Sequence, residues 1–373
     1  MSLNTSGLPP PPSVSRTTVQ MAGLLVDVYG LAELPPAATR VSCLWLHHPR
    51  TRSKEHMADI AARCVGAWNA RRRQQHSEND DDRRGGGGGG GGAGEQQRQT
   101  RGLIALAYDQ RNHGTRKVDE RANGSWREGN PMHAVDMFGV VQGMVADQRG
   151  LLDLVEGYLF AGDGGRRKID QHLALGVSLG GHSVWQLMFA EPRVTAGVVI
   201  VGCPDYLNLL SDRARLSKLS TYTADDGGAS FLGSKDFPPS LVDACKKFDP
   251  KAIFFGTDPV PDITESSSKY HGTALQIMRE RVRGKSFLLC SGGEDKLVPY
   301  RCSKPFVDWF SQAGRSWFRE EVLSLSVSDR VYPGIGHEFS PDMIRDSVQF
   351  IVDTVASVDL RPSSTHGQGS SKI

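Results

Sequence analysis

The chain has 373 residues, of which 38% are hydrophobic and 23% are charged, as in ordinary globular proteins. This composition excludes a collagen, a coiled coil and a wholly disordered chain. With 44 lysines and arginines against 42 aspartates and glutamates, the formal net charge is only +2, so nucleic acid is not predicted as a partner.

Two features of the sequence concern the place of the protein in the cell. No apolar run approaches the roughly 18 to 20 residues that a membrane span needs, so no span is expected. The first residues, MSLNTSGLPPPP, lack the basic start and the apolar stretch of a signal peptide. We therefore expect a cytoplasmic protein.

The six cysteines are scattered along the chain and form no C-x-x-C pair. Several lie in apolar segments, so we predict buried, reduced thiols in preference to disulfides or a zinc site. The cysteines are Cys43, Cys64, Cys203, Cys245, Cys290 and Cys302.

Three segments lack the apolar residues that a core requires. Residues 1–16 are polar and Pro-rich and residues 361–373 form a polar tail, and both are predicted to be disordered. Residues 71–101 combine charge runs with eight consecutive glycines, so they are predicted to form a surface insertion. Because long surface loops cost little closure entropy, we predict one domain over residues 17–360.

Between these segments, apolar runs alternate with stretches of helical periodicity. The run from Val19 to Tyr29 predicts one or two early strands. Further strands are predicted at Val41–Leu46, Leu103–Tyr108, Leu173–Val177, Ala196–Val201, Phe287–Cys290 and Val327–Tyr332. Helices are predicted after a cap at Ser53, around Met137–Leu159, at Ser183–Phe189, around Phe306–Phe310 and from Pro341 onward. This alternation predicts an α/β fold whose doubly wound, mostly parallel sheet is covered on both faces.

The sharpest local motif is Gly176-Val177-Ser178-Leu179-Gly180. In a G-x-S-x-G elbow the serine occupies a strained turn between a strand and a helix, and glycines are needed because side chains there would clash. An apolar run precedes Ser178 and a helix-compatible run follows it. The motif in this context predicts that Ser178 is a nucleophile.

A serine nucleophile needs a base that takes its proton and an acid that orients the base. Asp295 follows a predicted strand, and His337 lies in a glycine-rich loop between the last predicted strand and the last predicted helix. The chain order Ser178, Asp295, His337 therefore predicts a catalytic triad. Glu294 and Asp205 remain alternatives for the acid.

These features resemble the α/β-hydrolase superfamily from the third predicted strand to the final helix. The resemblance rests on GVSLGG around Ser178, on GGEDKLVP at 292–299, which is similar to the superfamily's G-x-x-D-x-x-V-P, and on Gly336-His337. The sequence DQRNHG is similar to the superfamily's D-x-R-G-H-G, and this similarity implies a structural role for His113.

The sequence LHHPR is similar to the superfamily's H-G-x, and the resemblance implies an oxyanion hole made by the backbone N–H groups of Leu179 and Arg50. Pro49 stands where the superfamily usually has glycine, and proline has no N–H to donate. His47 and His48 are predicted to pack beneath this loop.

Residues 203–284 exceed what the superfamily's minimal fold needs between two strands, so they are predicted to form a lid region. Their apolar side chains suit a partly apolar acyl group, but they also suit packing of the lid onto its own domain.

The resemblance implies a serine hydrolase that cleaves a carboxylic ester or a related acyl bond through an acyl-enzyme. The expected partner is a small-molecule acyl substrate, and no cofactor or metal is implied. A serine peptidase or thioesterase of the same fold and a non-catalytic binding protein of that fold remain alternatives. The sequence predicts no oligomeric state.

The last three residues, Ser371-Lys372-Ile373, resemble the S-K-L peroxisomal address. A peroxisomal location is therefore the alternative to a cytoplasmic one. The isoleucine and the uncharged GQGS before the tripeptide favour a terminus without a targeting role.

Overall fold

The computed structural model describes residues 3–85, 101–262, 270–320 and 325–358. Within these ranges the chain forms eight strands: β1 (Arg16–Met21), β2 (Leu24–Tyr29), β3 (Arg40–His47), β4 (Arg101–Tyr108), β5 (Lys168–Val177), β6 (Val194–Ile200), β7 (Ser286–Gly292) and β8 (Ser326–Tyr332). It also forms nine α-helices: α1 (Ala58–Gly85), α2 (His133–Phe160), α3 (Leu179–Ala190), α4 (Tyr206–Leu216), α5 (Pro239–Phe248), α6 (Pro250–Phe255), α7 (His271–Arg281), α8 (Tyr300–Gln312) and α9 (Pro341–Val358).

One sheet contains all eight described strands in the order β1-β2-β4-β3-β5-β6-β7-β8. The early apolar run forms a hairpin of β1 and β2, and β2 pairs antiparallel with β4. All other neighbouring strands in this sheet are parallel. The mostly parallel α/β sheet predicted from the sequence is therefore confirmed.

Successive residues of β3 enter two different cores. Cys43 and Trp45 pack with buried residues of α2, α3 and α8, whereas Leu44 and Leu46 pack with α1 and α9 on the opposite face. Since side chains alternate across a strand and both faces are covered, every position from Val41 to Leu46 is buried. This explains why the strand is a continuous apolar run.

The largest aromatic group of the core surrounds Trp185 of α3. Its ring centroid lies 5.4 Å from that of Phe287 in β7 and 6.3 and 6.2 Å from those of Phe306 and Phe310 in α8. These contacts join α3, β7 and α8, so they hold the helix that follows Ser178 against the sheet.

The N-terminal segment differs from the predicted disorder of residues 1–16. The N–H of Asn4 donates to the carbonyl oxygen of Phe339 at 3.0 Å, and Leu3, Leu8 and Val14 pack against the core that contains α1 and α9. A few apolar side chains among the prolines are enough to anchor an extended segment to the surface of a domain.

The segment predicted as a surface insertion is partly regular. Helix α1 continues to Gly85, because the Arg, Gln and Glu residues before the glycines are compatible with a helix although they cannot form a core. At the other end, Arg101 begins β4 and its buried guanidinium pairs with Asp170. Residues 86–100, with most of the glycine run, lie outside the described residues.

Residues 203–284 contain α4 to α7, and these helices pack in two groups. Helices α6 and α7 contribute Phe254, Phe255 and Met278 to the main core. Helices α4 and α5 belong to a separate apolar cluster with Leu179 and the first turns of α2. The second group therefore packs next to Leu179, the residue that follows Ser178.

Burial changes the chemistry of several side chains. All six cysteines are buried free thiols, as predicted, and burial raises the pKa of Cys43 and Cys203. Burial lowers the pKa of a group of histidines to between about 3 and about 4. These histidines are His47, His48, His133, His172 and His182.

Across the described residues, no helix is long and apolar enough to cross a bilayer. The tripeptide Ser371-Lys372-Ile373 lies outside the described residues.

The aromatic group predicts the effect of removing its central ring. Trp185→Ala should lower the free energy of unfolding by about 3 to 5 kcal/mol, because the cavity cannot be refilled by the surrounding rings. Urea unfolding followed by circular dichroism measures the change. Phe248→Ala is the matched control, since Phe248 is 37% exposed and its loss should change stability by no more than about 0.5 kcal/mol. Equal losses in the two variants would contradict this view of the core.

The buried histidines predict a loss of stability in mild acid. His172 accepts a hydrogen bond from the indole N–H of Trp45, and burial lowers its pKa to about 4 from an ordinary value near 6.5. Between these values the unfolded chain binds a proton that the folded chain does not. Stability should therefore fall as the pH drops below about 6.5, by about 1.4 kcal/mol per pH unit for each such histidine.

Urea unfolding of the wild type and of His172→Gln between pH 7 and pH 4.5 measures this slope. The glutamine can still accept the Trp45 hydrogen bond but does not titrate, so the variant should lose stability less steeply. Identical slopes would show that His172 does not remain neutral in the folded protein.

Candidate active site

Ser178 occupies the sharp turn between β5 and α3. Its backbone has φ 55° and ψ −110°, a conformation that costs a non-glycine residue roughly 1 to 3 kcal/mol. The N–H of Ser178 donates to the carbonyl oxygen of Ile200 at 2.8 Å, and its own carbonyl accepts from the N–H of His182 at 3.0 Å. These two bonds hold the strained residue between the neighbouring strand and the first turn of the helix.

The glycines of the motif allow backbone segments to touch. A Cβ added at Gly180 would lie 2.1 Å from the carbonyl oxygen of His47, and one at Gly176 would lie 2.1 Å from that of Gly180. No side chain fits at these distances. Helix α3 can therefore begin directly against the end of β3, as the G-x-S-x-G motif requires.

The structure brings Ser178, His337 and Asp295 together. The Oγ of Ser178 lies 2.8 Å from Nε2 of His337, and Nδ1 of His337 lies 2.7 Å from Oδ2 of Asp295. Oδ1 of Asp295 accepts the N–H groups of Leu297 and Val298 at 2.8 and 2.9 Å. The carboxylate is fully buried and is thereby fixed in its orientation toward the imidazole.

The other two candidates for the acid have different contacts. Glu294 is exposed, and its backbone N–H donates to Ile335. Asp205 is buried, but its carboxylate caps α4 by accepting the N–H of Asn208 at 3.0 Å. Asp295 is the carboxylate bonded to His337.

His47 and His48 lie beneath the loop that follows β3. The Nδ1–H of His48 donates to the carbonyl oxygen of Pro49 at 2.9 Å, and its Nε2 accepts the N–H of Gln110 at 3.0 Å. His47 is hydrogen-bonded through Nε2 to Gln148. Burial lowers the pKa of both rings, so they are neutral and support the loop, as predicted.

The two predicted donors of the oxyanion hole lie at the start of α3 and in the loop that follows β3. Leu179 is the first residue of α3, so its N–H has no acceptor within the helix. Arg50 directly follows Pro49 and precedes Thr51, whose φ is 62°. The Arg50 guanidinium donates to the carbonyl oxygen of Asn123 at 2.8 Å.

Asp109 and His113 support the same end of the sheet. Asp109 accepts the N–H of Lys54 at 2.9 Å and the N–H and hydroxyl of Thr115 at 2.8 Å each. The predicted cap Ser53 makes no capping bond with its side chain. The ring of His113 lies 5.4 Å from that of His48, so His113 packs beneath the loop.

Arg213 of α4 and His133 of α2 were not among the residues predicted from the sequence. Arg213 donates to the carbonyl oxygen of Leu297, in the loop that holds Asp295, and to Nε2 of His133. No local motif marks these residues, because their positions depend on how α4 packs against α2.

The contact between Gly180 and β3 predicts a sharp difference between two glycines. Gly180→Ala should lower the free energy of unfolding, because the added methyl group must displace the His47 backbone. Gly139→Ala in α2 is the matched control, since its Cβ would meet open space and should stabilise the helix by about 0.5 to 1 kcal/mol. Thermal unfolding of the two variants measures both effects. Similar behaviour of the two variants would refute the proposed role of the close approach.

A scan against models of known protein families finds no match for this sequence, nor does a search of curated proteins. Among solved structures, the chain is similar to TT1662 from Thermus thermophilus, with a TM-score of 0.51 and 16% identity, covering 92% of this chain and 98% of that one. It is also similar to an esterase/lipase from an uncultured bacterium, with a TM-score of 0.43 and 11% identity, covering 93% and 86% of the two chains.

A further similar structure is Est1E from Butyrivibrio proteoclasticus with ferulic acid bound, at a TM-score of 0.45 and 14% identity over 92% and 100% of the two chains. At such identities a likeness concerns the fold alone. The strand order with its antiparallel β2, together with the likeness to TT1662, confirms the predicted fold class, a mostly parallel α/β sheet of the α/β-hydrolase type.

Proposed function

We propose that the chain is a serine hydrolase that cleaves a carboxylic ester or a related acyl bond through an acyl-enzyme. The observation that carries this proposal is the hydrogen-bonded series Ser178–His337–Asp295, with distances of 2.8 and 2.7 Å. Such a series is what a hydroxyl nucleophile, its base and the residue that orients the base require.

In the first half of the proposed reaction, Oγ of Ser178 attacks the acyl carbon while its proton passes to Nε2 of His337. Asp295 stabilises the resulting imidazolium and keeps its ring in place. The tetrahedral intermediate collapses when His337 gives this proton to the leaving alcohol. The products of this half are the free alcohol and a Ser178 acyl ester.

In the second half a water molecule attacks the acyl carbon, and His337 takes one of its protons. Collapse of the second intermediate returns this proton to Ser178 and releases the carboxylic acid. The reaction consumes one water per bond cleaved and regenerates all three side chains. No proton or leaving group is left unassigned in these steps.

The backbone N–H groups of Leu179 and Arg50 are the proposed oxyanion hole. Leu179 N–H is free of the helix ladder, and Arg50 holds the third position of the segment that resembles the superfamily's H-G-x, which the resemblance implies as the second donor. A donor of this kind typically contributes about 2.7 to 4 kcal/mol to transition-state stabilisation.

Residues 203–284 are proposed as the lid of a single domain over residues 17–360. The support is the apolar cluster that Leu179, next to the nucleophile, forms with Tyr206, Leu207 and Leu241 of α4 and α5. Helices packed in this way would cover the acyl group of a bound substrate and exclude water from it.

The triad predicts the effect of removing its nucleophile or base. Ser178→Ala and His337→Ala should each lower kcat for p-nitrophenyl butyrate by about 10⁴-fold or more, because triad members act as a unit. Ser178→Ala should also abolish labelling by a fluorophosphonate probe. Circular dichroism checks that both variants fold.

Ser347→Ala is the matched control for this experiment. Ser347 is a buried helical serine whose hydroxyl donates to the carbonyl oxygen of Met343 in α9, away from the triad. It should retain both labelling and turnover. Turnover that survives Ser178→Ala would remove the triad assignment, and a wild type that neither reacts with the probe nor cleaves esters would favour a binding protein.

A further inference from the structure

Two arginines beside the candidate site have no ion-pair partner among the described residues. Arg50 lies on the loop after β3, and Arg213 lies on α4. Each is partly buried, and neither has a carboxylate oxygen of the described residues within 4.0 Å. Exposed arginines such as Arg52 and Arg121 also lack an ion pair among the described residues. Arg50 and Arg213 are partly buried, however, and burial lowers the pKa of each, so for them the missing counterion is costly.

The hydrogen bonds of both guanidinium groups go to neutral acceptors. Arg50 donates to the carbonyl oxygen of Asn123 at 2.8 Å. Arg213 donates to the carbonyl oxygen of Leu297 at 3.2 Å, to Nε2 of His133 at 3.4 Å and to the sulfur of Met137 at 3.1 Å. The Nε of Arg213 is buried without a hydrogen-bond partner. Donor capacity is therefore left over on a fixed guanidinium group.

A continuous series of contacts places the two arginines around one loop. Arg50 bonds to Asn123, and the next residue, Gly124, accepts the Nδ1–H of His133 at 2.9 Å. Nε2 of His133 then accepts from Arg213. With one ring nitrogen donating and the other accepting, His133 is neutral, and burial together with the two arginines lowers its pKa to about 3. His133 therefore does not change the combined positive charge of Arg50 and Arg213.

The same arginines adjoin the reacting groups. Arg213 bonds to Leu297, whose N–H is bonded to Asp295, the partner of His337. Arg50 carries one of the proposed oxyanion donors on its backbone while its side chain extends to Asn123. Positive charge is thus placed beside the loop that holds Asp295 and beside the loop that follows β3.

The carboxylates that interact electrostatically with these arginines already accept hydrogen bonds from other groups. Glu128 favours the charged form of Arg50, but it is exposed and its carboxylate accepts the N–H of Ser125 at 2.6 Å. Asp295 is bonded to His337 and to two backbone N–H groups. Burial and mutual repulsion lower the pKa of Arg213 to about 10, which still leaves it charged at neutral pH. A partly buried pair of like charges is unfavourable unless an anion completes it.

We propose that Arg50 and Arg213 bind an oxyanion group, a carboxylate or a phosphate, on the acyl substrate of this site. The planar fork of a guanidinium group matches the geometry of both anions and can donate two parallel hydrogen bonds to either. This inference rests on the proposed hydrolase function and narrows its substrates to acyl compounds that carry a negative charge. The arginine side chains position the substrate and take part in no bond cleavage.

Matched esters test the proposal. The p-nitrophenyl monoesters of succinate, glutarate and adipate carry a free carboxylate at three distances from the scissile bond, and their methyl-capped diesters do not. The wild type should prefer at least one anionic ester over its capped form by about tenfold or more in kcat/KM. Arg213→Met should lower that preference about tenfold or more. A wild type without this preference, or one whose preference survives Arg213→Met, would overturn the inference.

Arg215→Met is the matched control on the same helix. Arg215 is exposed and pairs with Asp212, so its loss should leave the preference for the anionic ester unchanged. Arg50→Met is the second variant in case Arg213→Met fails to fold, since the backbone N–H of residue 50 is kept. An equal loss of preference in Arg215→Met would show a general charge effect and would overturn the assignment.

A binding measurement separates this inference from the proposed function. Calorimetric titration of Ser178→Ala at low salt with glutarate and with propyl phosphate should detect binding that Arg213→Met weakens about tenfold or more, and the tighter ligand identifies the anion. If capped esters are cleaved but neither anion binds, the inference fails and the hydrolase stands. If no ester is cleaved by the wild type but an anion binds through Arg213, the hydrolase fails and the anion site stands.

Discussion

The site depends on one strained residue held where two backbones almost touch. Ser178 adopts its positive φ because its N–H is bonded to Ile200 of the neighbouring strand and because helix α3 begins immediately after it. That helix can begin there only if Gly180 carries no side chain toward the carbonyl oxygen of His47. The strain is sustained by the parallel sheet and by the aromatic core around Trp185, which together leave α3 no other position.

The parallel sheet then brings the other two candidate residues, Asp295 and His337, to this turn. Strands β7 and β8 run in register up to Gly292 and Tyr332, so the loops that follow them leave the sheet side by side. The N–H of Glu294 donates to the carbonyl oxygen of Ile335, and this bond joins the two loops directly before Asp295 and His337. Residues far apart in the chain are therefore aligned by strand order and by loop-to-loop hydrogen bonds. The Asp295 carboxylate is buried between these loops, and its hydrogen-bond donors are His337 and the N–H groups of Leu297 and Val298.

The histidines and the arginines around the candidate site differ in their charge and in their partners. His47, His48 and His133 are buried as neutral rings that are hydrogen-bonded to neighbouring segments of the chain. Arg50 and Arg213, in contrast, keep their charge beside the site without a counterion among the described residues. Two partly buried guanidinium groups whose partners are neutral are the reason for the proposal that an anionic substrate completes this site.

The sequence by itself determined the sheet, the strand before Ser178 and the order of the three candidate residues, because apolar periodicity and glycine spacing are local properties. It did not predict that residues 3–15 pack on the domain, or that α1 continues to Gly85, since sparse apolar anchors and helix-compatible charges give weak local signals. The sequence favoured Asp295 as the acid but left Glu294 and Asp205 open, and the contact of Asp295 with His337, like the meeting of Arg213 with His133, came only with the tertiary structure. Both depend on which side chain points inward after loops and helices from distant parts of the chain have packed together.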